Sequence, residues 1–244
     1  MESGNKEEFG TLDYESGALT NSATHIMSAL PLTLLTGCRC SLTFMRLRFI
    51  APLATSFLLL CSFPIANAAP IYVFPVADCA VKYARSHHDY PATDILAKAG
   101  CKYVAPIDGV VYEVAPKDIW SSKTNLGQDR GGLSVSIIGI DGVRYYGSHF
   151  KSIAPGIEPG VNVVAGQVLA YVGATGSGRG TAPHVHFGIS WPTSPEDNAW
   201  WVRRGVLYPW KYLDAWKAGK DRSPAKELDA LQLKIGEIPP KPKK

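Results

Sequence analysis

Two histidines one residue apart, His184 and His186, sit in the stretch Thr181-Ala182-Pro183-His184-Val185-His186-Phe187-Gly188-Ile189-Ser190. Its Thr, Val, Phe and Ile favour a β-strand. Successive strand side chains alternate faces, so both imidazoles share one face while Val185 and Phe187 take the other. A His-x-His pair alone is equally at home on any half-buried strand as two hydrogen-bonded histidines. Its meaning changes with the other four histidines: His25 near the start, the pair His87-His88, and His149 after Tyr145-Tyr146-Gly147-Ser148. A carboxylate, Asp94, follows His88 by six residues. Histidine and aspartate at three separate places in a β-rich chain are the requirements of a catalytic zinc site. Such a site needs three protein ligands, one open position, and nearby groups that move protons.

The elements that must position these side chains are mostly strands. Lys102 to Pro106 and Gly109 to Val114 have strand composition and are joined at Asp108-Gly109, a turn dipeptide. Leu133 to Ile140 and Val143 to His149 form a hairpin around Asp141-Gly142, and Val168 to Val172 is a further strand. The stretch from His87 to Ile95 is expected to be a loop, as is the long polar segment from Pro116 to Gly132, a candidate wall or lid. Gly156 to Gly166 is rich in turn residues. The run Gly173-Ala174-Thr175-Gly176-Ser177-Gly178-Arg179-Gly180 opens into a strand and lacks a following Lys-Ser/Thr pair. It is therefore a flexible wall beside the His-x-His strand rather than a phosphate loop. Helical patterning starts only after residue 207, with Pro209 to Ala218 and then Ser223-Pro224 to Ile235, stopped by Gly236. The aromatics Trp200, Trp201, Trp210, Tyr212 and Trp216 are interleaved with Arg203, Arg204 and Lys211. They either grip a glycan or pack this extension onto the β core, the second being the simpler account. The fold class expected is mostly β: an antiparallel, open barrel-like sheet with long loops and a small C-terminal helical extension.

At 244 residues the chain has room for one ordinary domain plus extensions, and its net charge of +4 is too mild for a dedicated nucleic-acid binder. Met45-Arg46-Leu47-Arg48, the apolar run Phe49 to Phe63, and Ala66-Asn67-Ala68 have the order of a secretory signal peptide cut after Ala68. The apolar run is short for a membrane span. Residues 1–44 precede this second start and are expected to be a non-native extension, with Leu35-Thr36-Gly37-Cys38 a chance likeness to a lipoprotein box. The expected organisation is thus 1–44 extension, 45–68 signal peptide, 69–80 lead-in, 81–191 main domain, and 192–244 aromatic and basic extension ending in a disordered tail. Past residue 68 only Cys79 and Cys101 remain of five cysteines. An even pair in an exported chain is expected to form a disulfide, here enclosing His87, His88 and Asp94.

With these residues in place, about residues 81–191 resemble the lysostaphin/LytM-type zinc metallopeptidases, which hydrolyse peptides of bacterial peptidoglycan. The resemblance rests on the early His and Asp, on Ala105-Pro106-Ile107-Asp108-Gly109-Val110-Val111, and on Tyr146-Gly147-Ser148-His149. Pro159-Gly160-Val161 through Ala165-Gly166-Gln167-Val168-Leu169 and Pro183-His184-Val185-His186-Phe187 complete it. It implies Zn2+ held by a histidine of the 87–88 pair, Asp94 and His186, with His149 and His184 as the catalytic histidines that are not ligands. His88, the nearer to Asp94, is the favoured first ligand. The family commonly spaces that histidine four residues from the aspartate and has Tyr-Gly-His without the intervening serine, so this chain departs at both places. The resemblance further implies metal-assisted hydrolysis, in which zinc acidifies water and polarises the scissile carbonyl while the two histidines handle protons or the oxyanion. The expected partners are peptidoglycan peptides. No nucleic acid and no stable membrane span in the mature form are expected, and the protein is expected to be a monomer, secreted, periplasmic or associated with the cell wall. A non-enzymatic wall-binding module of the same fold is the competing reading. A lipoyl- or biotin-like carrier domain lacks its hairpin-tip lysine, since Asp141-Gly142 occupies that tip.

Overall fold

A computed structural model describes residues 71–87, 90–194 and 196–242. The extension 1–44, the signal peptide with its Ala68 cleavage site, and His88 lie outside the described residues. Among the described residues eleven strands run in order: β1 (Val76–Ala77), β2 (Lys82–Tyr83), β3 (Thr93–Leu96), β4 (Lys102–Val104), β5 (Gly109–Ala115), β6 (Ser134–Gly139), β7 (Arg144–Ser148), β8 (Phe150–Ile153), β9 (Asn162–Val163), β10 (Val168–Val172) and β11 (His184–Ser190). Three helices follow: α1 (Trp200–Arg203), α2 (Trp210–Lys217) and α3 (Ala225–Ile235). The strands form a seven-stranded sheet ordered β2-β3-β11-β7-β6-β5-β9 and a four-stranded sheet ordered β1-β4-β10-β8. Every strand pairing is antiparallel. The fold is mostly β with two open sheets.

One face of the large sheet is apolar. Val185, Phe187 and Ile189 of β11 join Tyr145 of β7, Val135 and Ile137 of β6 and Ile95 of β3 in the buried core. At one end the small sheet covers this face. Tyr103 of β4 and Phe150 of β8 pack with ring centroids 4.7 Å apart, and they come so close to Gly147 that a Cβ there would lie 2.5 Å from the Tyr103 ring. Elsewhere α2 covers it. Trp216 meets Tyr145 and Phe187 edge-on and stacks on Tyr72 at 5.3 Å. Tyr212 of α2 donates to Glu227 of α3 at 2.6 Å, and Leu228 is buried, so the second helix is held to the first. The aromatic cluster of the C-terminal extension therefore packs onto the sheet, the simpler of the two expected roles.

Several expectations change in detail. Residues 93–96 belong to a strand, not a loop. Their alternating burial, with Thr93 and Ile95 inside, is a strand's pattern compressed into four residues beside a proline. β4 and β5 flank the Asp108-Gly109 corner but enter different sheets, and the Asp108 carboxylate instead accepts from Ala165 N at 2.7 Å. The lead-in forms β1, which pairs with β4 beside the Cys79–Cys101 disulfide. Both C-terminal helices lie where the helical patterning places them, and Gly236, at φ 83°, ends α3. Replacing Trp216 with alanine removes a ring that is 3 % exposed and joins α2 to the sheet. It should cost about 3–5 kcal/mol, read as a fall in the urea midpoint with the m-value unchanged.

Candidate metal centre

The second face of the large sheet is polar, and β11 lies in its middle. In the β3–β11 ladder Asp94 is directly opposite His186, and in the β7–β11 ladder Ser148 is opposite His186 from the other side. Directly opposed residues are about 5 Å apart at Cα and share a face. Pairing alone therefore brings the Asp94 carboxylate to the His186 ring, with Oδ1 3.1 Å from Nδ1. The third member comes from the segment after β2. His87 Nε2 lies 3.9 Å from Asp94 Oδ1, its ring 4.9 Å from that of His186. One donor atom from each of His87, Asp94 and His186 falls within 4.8 Å of the others. His88, favoured from the sequence as the nearer to Asp94, lies outside the described residues; of the pair, His87 is the described one, and it stands beside the carboxylate.

The hydrogen bonds of His186 bear on what this cluster holds. Its Nε2 faces the Arg204 carbonyl at 3.2 Å and the Tyr90 hydroxyl at 3.4 Å, so two oxygens can accept the Nε2 proton. That leaves the Nδ1 lone pair facing a carboxylate oxygen. Two acceptors at this distance need either a second ring proton or a cation between them. Two nitrogens and one carboxylate oxygen form a donor set suited to zinc, whose bonds of about 2.0–2.1 Å place tetrahedral ligands roughly 3.3 Å apart. The observed 3.1 and 3.9 Å bracket that spacing. Burial acts to raise the Asp94 carboxyl. When protonated, His186 through its hydrogen bond, and His186, His87 and His184 through their charge, outweigh it and hold the group well below the usual carboxylate range.

His149 and His184 stand beside the cluster with ring centroids 4.8 Å apart. Each is held by a carbonyl. His149 Nδ1 is 2.8 Å from Thr175 O, and His184 Nδ1 is 2.8 Å from Ala182 O. Nδ1 of each therefore carries the proton, and Nε2 is the free, accepting nitrogen. His149 reaches this place at a corner, where the chain leaves β7 of the large sheet and enters β8 of the small one, with φ at 68°. Histidine is one of the few residue types enriched in that left-handed region. Burial, and then the charges of His186 and His184, push its imidazole down to about 3, so it is neutral at physiological pH.

A groove of about 970 Å³ runs over both sets of residues. Trp120, Asn125 and Arg130 of the 116–132 segment and Ser177 and Gly178 of the glycine-rich run line it. Both segments are thus walls, and Asp118 ties them together by accepting from Gly176 N at 2.8 Å and from Arg179 Nε at 3.0 Å. Tyr90 and Arg204 also line it. Neither stands out in the sequence, because one acts from an irregular segment and the other partly through its backbone carbonyl.

Residues 88–198 match the model of peptidase family M23. The chain carries an M23 peptidase domain. It is 32% identical over 133 residues to the L-Ala--D-Glu endopeptidase of Bacillus subtilis strain 168, an alignment that covers 52% of this chain and 35% of that protein. The chain thus spans about a third of the length of the curated relative it matches. Among solved structures it is similar to the catalytic domain of the antimicrobial peptidase lysostaphin from Staphylococcus simulans, with 22% identity and a TM-score of 0.42 over 55% of this chain and 92% of that one. It is also similar to a zinc containing peptidase from Vibrio cholerae, with 22% identity and a TM-score of 0.36 over 49% and 36%. Asp94, His149, His184 and His186 all fall within the M23 match, and His87 lies one residue before it.

Neutral His149 makes acid stability its own test of the site. An unfolded chain protonates this imidazole below about pH 6.5, whereas the folded one holds out to about 3. Acidification between those values therefore favours unfolding. The thermal midpoint of chelator-treated protein should fall between pH 6.5 and 4.5, and the fall should be shallower in His149→Gln.

Proposed function

We propose that the chain is a secreted zinc metalloendopeptidase that cleaves peptide bonds of bacterial peptidoglycan. The observation that carries the proposal is the convergence of His87, Asp94 and His186 beside His149 and His184, in one groove of an M23 domain. His87, Asp94 and His186 would hold the ion. Zinc in such a site supplies Lewis-acid chemistry, acidifying water and polarising a carbonyl. The remaining steps belong to this chain's own residues. His149 and His184 offer accepting Nε2 atoms into the groove, each fixed by the carbonyl that binds its Nδ1 proton. One takes a proton from the attacking water, and either can return it to the departing amine. Burial pushes the Tyr90 phenol up to about 12, so it stays protonated and able to donate beside His186. Trp120, Asn125 and Arg130 give the groove an aromatic and polar wall for an extended peptide.

Support for the substrate class comes from the M23 match and from the Bacillus relative, an L-Ala--D-Glu endopeptidase. Action outside the cytoplasm is supported by the signal-like segment at 45–68 and by the disulfide. Among the described residues no helix is long and apolar enough to cross a membrane.

Purified protein should contain one zinc per chain and release soluble peptides from isolated cell walls, with chelator stopping release and added zinc restoring it. Asp94→Ala and His186→Ala should lose the metal. His149→Ala should retain zinc and lose roughly 10²–10⁴-fold in rate, the usual contribution of a general acid-base group. His87→Ala should lose zinc while His88→Ala keeps it, and the reverse result would move the first ligand to His88. Undiminished release from metal-free protein would exclude the zinc mechanism.

A further inference from the structure

The polar face of the large sheet continues past the histidines. Along β7, Ser148, Tyr146 and Arg144 alternate onto it. Arg144 is the largest of the fully buried side chains, at 0 % exposure. Its Nη2 is paired with Glu113, but Nε and Nη1 have no hydrogen-bond partner. Two hydroxyls on the same face are also buried and unpartnered: Ser190, directly opposite Arg144 on β11, and Ser136, opposite Tyr146 on β6. Buried polar groups normally find partners, and a guanidinium more than most.

Of these groups Arg144 lines a second cavity of about 310 Å³, together with Tyr112, Glu113, Trp200, Arg203 and Arg204 among others. It adjoins the histidine groove, with Arg204 in the wall of both. The backbone at Arg204 crosses β11 at Gly188, where a Cβ would sit 1.9 Å from Arg204 O, so this segment separates His186 from Ser190. Two guanidiniums meet one carboxylate here, and a third, that of Arg204, lies in the same wall. Glu113 accepts from Arg203 Nη1 at 2.9 Å and from Arg144, an internal demonstration that the pair fits a carboxylate. Aromatic faces hold two of the cations in place, Tyr112 under Arg144 at 5.2 Å and Trp200 under Arg204 at 5.3 Å.

We propose that this cavity binds a carboxylate anion, gripped by Arg203 and by the unpaired nitrogens of Arg144, with its apolar stem against Tyr112 and Trp200. A planar guanidinium fork matches carboxylate and phosphate alike. The wall of Tyr112, Val114, Ala115, Pro159 and Trp200 favours an acid on a short hydrocarbon stem over strongly hydrated phosphate. The carboxylate comes either from a free small acid or from the end of a peptide chain. Nothing in this assignment depends on the hydrolytic reading.

Calorimetric titration of the full-length, zinc-loaded protein with butyrate and with its neutral isostere butyramide tests the site. Butyrate should bind at one site per chain at least tenfold more tightly than butyramide, and equally well after chelation. Arg203→Gln, at the partly exposed edge of the cavity, should weaken butyrate at least tenfold while zinc content stays the same. Arg144→Gln should do likewise where it folds. Acetyl-trialanine with a free or an amidated C-terminus separates the sources: tighter binding of the free-acid peptide than of butyrate identifies a peptide terminus, and the opposite order a small acid. Equal affinity for butyrate and butyramide, loss of binding on chelation, indifference to Arg203→Gln, or tighter binding of inorganic phosphate would each overturn the proposal. So would a crystal grown with butyrate that shows only ordered water on Arg144.

Discussion

Antiparallel pairing of β3 with β11 is the constraint on which the site depends. Asp94 and His186 are 92 residues apart in sequence and directly opposite in the ladder. Their contact is therefore not the product of a flexible loop finding a distant partner. It is set by backbone hydrogen bonds on either side. A register slip of one residue would turn Asp94 to the core face and bring Thr93 or Ile95 against the imidazole. Buried Thr93 and Ile95, and Val185 and Phe187 opposite them, oppose that slip by hydrophobic burial. The apolar half of each strand thus holds the polar half in position.

A second constraint acts at the corner between the sheets. The chain passes from β7 to β8 through one residue, His149, in a left-handed conformation. Such a backbone costs of order 1–3 kcal/mol. Here it is enforced on both sides by backbone hydrogen bonds, from His149 N to Gly131 O at 2.9 Å and from Thr175 N to His149 O at 3.4 Å. The sharp turn aims the imidazole back across the groove toward His184 instead of along the sheet. The serine in Tyr146-Gly147-Ser148-His149 thus does not displace the histidine from the site. Ser148 remains in strand register opposite His186, and His149 takes the corner.

The sequence made part of this legible. Strands at 109–114, 133–140 and 168–172, the His-x-His strand, and the proline- and glycine-bounded helices α2 and α3 were all expected, because local composition and local structure agree there. The bridging of the even cysteine pair and the convergence of Asp94, His149, His184 and His186 on one groove were expected too. What was not visible depends on partners. β3 is four residues long and preceded by Pro91, so nothing local distinguishes it from a loop, and only β11 makes it a strand. β4 and β5 flank a turn dipeptide that normally signals a hairpin, yet the Asp108 side chain is engaged with Ala165 and the two strands part. The choice between His87 and His88 turns on the path of an irregular segment, which residue spacing does not encode. The Arg144–Glu113–Arg203 cluster escapes a sequence reading altogether, since its members come from β5, β7 and α1 without any shared motif.

The part of the chain beyond the family match is not an appendage to the site. The M23 match ends at residue 198, yet Arg204 follows α1 and brings its carbonyl to His186 Nε2. A ring nitrogen that faces a fixed carbonyl keeps its proton, which leaves the opposite nitrogen as the accepting one and raises its basicity. Arg204 is held in turn. Its backbone lies against Gly188, its guanidinium donates to Gln128 O at 3.2 Å, and Gly205 donates to Val202 O at 3.1 Å. α1 is itself packed through buried Ala199 and Val202, while Trp191 and Trp201 donate to the carbonyls of Glu237 and Pro239 in the segment after α3. The tautomer of one imidazole in the middle of the large sheet is therefore coupled, through a single carbonyl, to the packing of the last fifty residues.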